Sequence, residues 1–112
     1  MEVIQRNMPQ LRYLFYYIKK NKRVAYLKYA RREIIECLWQ ITLNLTYSNI
    51  NGIQLTKAQI KLLLQYKAGL KKVLYSKTTA EKRKSLTVNI IDVLLTVFIS
   101  WMSKQNHDGN SL

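Results

Sequence analysis

The stretch RREIIECLWQITLNL, residues 31–45, decides how the chain is read. Its end, continued as ITLNLTY, alternates apolar and polar residues, and that fragment taken alone reads as a strand. At 100° per residue, however, Ile34, Ile35, Leu38, Ile41 and Leu45 fall on one side, with Glu33, Glu36, Gln40 and Asn44 opposite. The helical period spans more residues than the alternation and outweighs it. A helix here has one side that needs a partner and another expected to face solvent.

On the N-terminal side, NMPQLRYLFYYIKKN predicts a first helix. Asn7 suits its N-cap, Pro9 its first turn, and Leu11, Leu14, Phe15 and Ile18 form its stripe. Asn21 interrupts it, and RVAYLKYA predicts a short second helix. On the C-terminal side, TYSNINGIQ carries turn chemistry in Asn49, Asn51 and Gly52. Thr56 with Gln59 has capping-box spacing and opens a helix running from Lys57 to about Tyr75. In it Leu62, Leu63, Tyr66, Leu70, Val73 and Leu74 cover one arc. Thr78 with Glu81 repeats the spacing, so a further helix starts near Thr79 and continues or restarts through LTVNIIDVLLTVFISWM. SKQNHDGNSL reads as a frayed tail. The expected fold is all-α, a small bundle of four or five helices, with residues 1–102 as a single helical domain and 103–112 as a flexible polar tail. One proline and three glycines in 112 residues agree with it.

Charge is blocked along the chain. Eight bases and no acid occupy Arg12–Arg32, no base occupies Glu33–Thr56, bases return over Lys57–Lys84, and Ser85–Ser103 carries only Asp92. The two base-free stretches should supply most of the core. Nineteen Lys and Arg against six acids leave a formal charge of +13, a field that attracts polyanions. DNA, RNA and an anionic membrane surface are the candidate partners, with an acidic protein as a fourth.

Little points to catalysis. The single cysteine, Cys37, forms no intrachain disulfide and sits where a small core side chain is expected. Together with the lone His107 it makes no zinc spacing. No phosphate-loop or dinucleotide motif occurs, the N-terminus lacks a signal-peptide layout, and no serine has a histidine at motif distance. Glu33 and Glu36 read as a solvated helix face rather than an acid–base pair. Asp92, alone in an apolar segment, is expected to pair with a base from another helix or to cap a break after Asn89. No enzyme activity, cofactor or metal is assigned.

The nucleic-acid reading rests on the basic blocks. Lys57, Lys61, Lys67, Lys71 and Lys72 share an arc with Ile60 and Leu64, and Lys77, Lys82, Arg83 and Lys84 extend it. A face that merely solvates a helix usually mixes signs; from Lys57 to Ser85 the only acid is Glu81. Arg12, Lys19, Lys20, Lys22, Arg23, Lys28, Arg31 and Arg32 form a second patch. Lysine is a mobile point charge and arginine the usual guanine reader, so a lysine-rich surface predicts phosphate contacts with little base selectivity. Tyr13, Tyr16, Tyr17, Tyr26 and Tyr29 lie among these bases. Base stacking is one role for them, but their helical spacing favours core or half-buried rim. Trp39 and Trp101 are expected in the core.

Thr56, Gln59, Leu63, Tyr66, Lys67, Leu70, Leu74, Lys77, Thr78, Lys82, Arg83, Lys84 and Leu86, with ECLWQITLNL and the Asn-Gly turn before them, form a recognisable pattern. Over Arg31–Leu86 the chain resembles the small basic proteins of Polinton/Maverick elements and adintoviruses. In these a helix ending Asn-x-Leu, a turn and L-T/S-x-x-Q precede a lysine-rich helix that ends near K-R-K-x-L. The resemblance implies a double-stranded DNA element, a virion-core or DNA-associated role and location in the nucleus or virion; without it, an intracellular location is expected. The Gly-Gly-Phe-Leu-like segment that should follow K-R-K has no counterpart, because Leu86–Met102 contains no glycine. Any processing or membrane role tied to that segment is therefore not carried over.

Three other readings stay open. A peripheral membrane protein would use the bases beside the apolar 86–102 segment, although Asn89 and Asp92 are costly at bilayer depth. A helix-turn-helix regulator would use the Asn-Gly turn, which is long for that motif and is followed by few base-reading side chains. A structural protein would self-assemble through its apolar helices, making a homo-oligomer.

Overall fold

The computed structural model describes residues 2–47 and 55–110, with side chains as far as 103. The Asn-Gly turn therefore lies outside the described residues. The helices are α1 (Glu2–Arg6), α2 (Met8–Tyr16), α3 (Arg23–Lys28), α4 (Arg32–Thr46), α5 (Lys57–Gln65), α6 (Lys67–Tyr75), α7 (Thr79–Ser85) and α8 (Val88–Asn110), with a 3-10 turn at Lys20–Lys22. The fold is all-α, and no strand occurs among the described residues. The polar segment read as a tail starts within α8, whose backbone is helical to Asn110.

Among the described residues eight helices stand where four or five were expected, because α1 precedes the predicted first helix and two predicted stretches are interrupted, at Tyr66 and at Leu86. At Tyr66 (φ −106°, ψ 20°) the helix expected over Lys57–Tyr75 splits. There the Tyr66 N–H turns to Leu63 O at 3.2 Å, while its own carbonyl accepts from Leu70 N at 3.0 Å and starts α6. At Leu86, buried to 2%, the chain turns 91° between α7 and α8, and Thr87 O accepts the first α8 bond from Ile91 N. At the N-terminus, Asn7 separates α1 from α2. It sits at the cap position but makes no side-chain cap bond. Its amide instead donates to Val3 O at 2.8 Å and accepts from Arg31 at 3.2 Å. The two sequence-legible caps form: Thr56 and Gln59 close a full capping box, and Thr78 accepts from Glu81 N while Glu81 accepts from Lys77 N.

α4 is the hub, packed against α1, α6, α7 and α8, while α8 also meets α2, α3 and α5. Ile34, Ile35, Cys37, Leu38, Ile41 and Leu45 of α4 share one core with Ile90, Ile91, Leu94, Leu95 and Phe98 of α8, so the two base-free stretches do build it. Each such side chain stabilises the fold by roughly 1.5–3 kcal/mol relative to exposure. The polar side of α4 is covered rather than solvated: Asn44 is buried, and Glu33 and Glu36 are half-buried. At Gly69, α6 meets a side chain of α8: a Cβ there would stand 2.5 Å from Ile90 Cδ1.

Candidate nucleic-acid interface

Three acids, Glu33, Glu36 and Asp92, pair with bases of other elements, and Glu2 is exposed. Glu33 pairs with Arg6 of α1, and that hydrogen bond holds its carboxyl below the usual carboxylate range. Glu36 pairs with Lys82 at 2.9 Å. Asp92 pairs with Arg23 at 3.1 Å and with Lys20 at 3.5 Å, the inter-element pairing expected of it. Glu81 is used at the start of α7.

Three predicted phosphate ligands turn out to be structural. The Arg23 side chain is only 7% exposed, and its guanidinium donates to Leu14 O, Ile18 O and Phe15 O as well as to Asp92. Its fork of N–H donors satisfies several carbonyls at once where α2 stops. Lys82 is 12% exposed, bonded to Glu36, and its ammonium lies 4.8 Å from the Trp39 ring centroid. Arg83 is half-buried and donates to Leu27 O at 2.5 Å, tying α7 to α3. The α7 helix packs on α4, which buries the first two residues of the Lys-Arg-Lys run and leaves Lys84 outside. Lys20 is exposed, but it shares Asp92.

The remaining bases are outside. Lys57, Lys61, Lys67, Lys71, Lys72, Lys77 and Lys84 are exposed, as are Arg12, Lys19, Lys22, Lys28, Arg31 and Arg32. None of these thirteen is in a salt bridge among the described residues. Two clefts meet at Lys84, and the second joins the two basic blocks. One, of about 540 Å³, is lined by Lys71, Lys72, Tyr75, Glu81 and Lys84. The other, of about 440 Å³, is lined by Val24, Lys28, Arg83 and Lys84. Lys84 belongs to both, so a belt runs from Lys71 and Lys72 through Lys84 to Lys28, with the exposed Glu81 beside it. The sequence left that continuity open, because Lys28 and Lys84 are far apart along the chain.

Ile60 and Leu64, which the sequence placed on the lysine arc, are 45% and 62% exposed and stand beside Lys67 and Lys71 in an apolar groove of about 380 Å³ floored by Leu45, Leu63 and Leu70. The tyrosines depart from the sequence reading: Tyr13, Tyr16, Tyr17 and Tyr29 are exposed rather than in core or rim, and Tyr26 alone of the five is half-buried. A signal was available for these: the stripe Leu11, Leu14, Phe15, Ile18 already fills the inward side of α2 and leaves Tyr13, Tyr16 and Tyr17 outside it.

Among the described residues, no three His, Cys, Asp or Glu side chains come together to hold a metal, and no single helix is long and apolar enough to cross a membrane. Only the bent pair of α7 with α8 meets the length and composition of a span, and most of the apolar side chains of α8 are buried in the core. Comparison with protein-family models, curated proteins and solved structures finds no match.

Proposed function

We propose that this chain binds nucleic acid, double-stranded DNA first and RNA as the alternative, through its phosphates and with little base selectivity, and that it condenses or packages that polymer. The observation that carries the reading is the segregation of charge. Glu33, Glu36 and Asp92 are taken up by Arg6, Lys82, Arg23 and Lys20, while thirteen other exposed bases stand in no salt bridge among the described residues. Cations held on short helices and left unneutralised gain most from a polymer whose condensed counterions they release. The likeness of Arg31–Leu86 to basic proteins of double-stranded DNA elements supports duplex DNA and a virion-core role.

Titrating random duplex DNA at several salt concentrations tests this. Six lysine–phosphate contacts give a log–log slope of roughly −5. Changing Lys61, Lys67, Lys71 and Lys72 together to Gln should weaken unrelated duplexes equally and flatten that slope to about −2. Loss of one sequence and not another would overturn packaging in favour of a regulator. A second reading, attachment to an anionic membrane surface, draws on Ile60 and Leu64 exposed beside Lys67 and Lys71, a basic–apolar mixture suited to a headgroup layer. Flotation with anionic liposomes in the absence of duplex binding would favour it.

A further inference from the structure

We propose that the α2–α3 face binds unpaired nucleobases, so that the protein holds single-stranded stretches in addition to duplex; this rests on the nucleic-acid reading above. The tyrosines there form a run rather than isolated exposed rings. Tyr17 stacks on Tyr13 with centroids 5.7 Å apart and ring planes 24° from parallel, and Tyr13 meets Tyr26 at 6.2 Å. Tyr26 and Tyr29 then line an open cleft of about 540 Å³ with Gln10, Arg31 and Ile34. Tyr17 and Tyr29, at the two ends of the run, are 77% and 83% exposed. Leaving that much aromatic surface in water has a free-energy cost that a stacked base removes, and every base has a ring face to offer.

One further observation points to a nucleic-acid strand rather than to another apolar partner. The surroundings are strongly cationic: Arg12, Lys28, Arg31 and Arg32 are exposed, the sequence holds no acid between Arg12 and Arg32, and the Lys28 ammonium sits 5.8 Å from the Tyr29 centroid. Lys28 is also the end of the belt that runs from Lys71 and Lys72 through Lys84. A strand with its phosphates on that belt reaches Tyr29 with its bases free to stack.

The test compares four labelled 20-mers by fluorescence anisotropy at fixed salt: mixed-sequence single-stranded DNA, the same strand without bases, the corresponding RNA, and duplex DNA. The base-free strand keeps the phosphates and removes the stacking. The base-bearing strands should bind about tenfold or more tighter than the base-free one. Changing Tyr17 and Tyr29 together to Ala should erase that difference and leave duplex affinity and melting temperature unchanged, since both side chains stand in solvent. A tighter RNA or DNA strand identifies the natural polymer, and either supports the inference. Equal binding of base-bearing and base-free strands overturns it while duplex binding persists; so does an unchanged difference in the double variant. Failure of all four to bind overturns the phosphate reading as well.

Discussion

Basic residues of one chemical type do two jobs in this chain, and exposure separates them. Arg23 is wired to three backbone carbonyls and Asp92, so Arg23→Ala leaves those carbonyls and a half-buried carboxylate short of donors. The expected loss is about 2–4 kcal/mol, read as a lower melting temperature. Lys67→Gln, on an exposed side chain, should stay within about 0.5 kcal/mol of the parent and weaken DNA instead. Cys37 gives the pH-dependent counterpart. Burial pushes its thiol from 9.0 up to about 11, and its S–H donates to Val3 O. The unfolded chain therefore releases this proton at a pH where the folded chain keeps it, so stability falls as pH rises from about 9 to about 11. Chemical denaturation across that range should show a shallower alkaline decline in Cys37→Ala than in the parent. Cys37 was legible as a core position because it lies beside Leu38 on α4. The role of Arg23 was not, because nothing local marks it apart from Lys22.

Helix starts depend on a few neighbouring residues, and helix breaks on distant ones. The Thr56–Gln59 box can be read directly because both hydrogen bonds close within four residues. The break at Tyr66 cannot, since the apolar period of Leu62, Leu63, Tyr66 and Leu70 carries straight through it. Beyond the break α6 packs on α7 and on α4, which is far away in sequence, and at Gly69 it comes up against Ile90 of α8. Gly69→Ala gains about 1 kcal/mol of helix propensity but puts a methyl group against Ile90. Ile90→Val removes the Cδ1 atom standing at 2.5 Å. The two changes should therefore couple: the double variant should be more stable than the sum of the single effects, by about 1 kcal/mol in a denaturation cycle. Additive effects would mean that α6 does not press on α8 at this point.

At the scale of the whole molecule, the principal extents are 41 × 27 × 25 Å. A body 41 Å long lying along duplex DNA covers roughly 12 base pairs at 3.4 Å each. Titration at low salt should saturate near one protein per 10–12 base pairs, with the same stoichiometry on unrelated sequences. A much smaller footprint would mean that the belt meets the duplex end-on. The continuity of that belt is a property of the assembled bundle, since the α7–α3 contact through Arg83 sets Lys84 beside Lys28.

The sequence by itself determined the helical class, the two base-free core helices, the capped starts of α5 and α7, and the surplus of positive charge. All of these follow from periodicity, from bonds between near neighbours or from composition. Only the tertiary structure decided which cations remain for a partner and where the long segments bend. Those outcomes depend on where distant carboxylates and carbonyls arrive. Asp92 takes Arg23, Glu36 takes Lys82, and Leu27 takes Arg83 across 69, 46 and 56 residues of chain. No pattern confined to one helix records which partner a charge will meet.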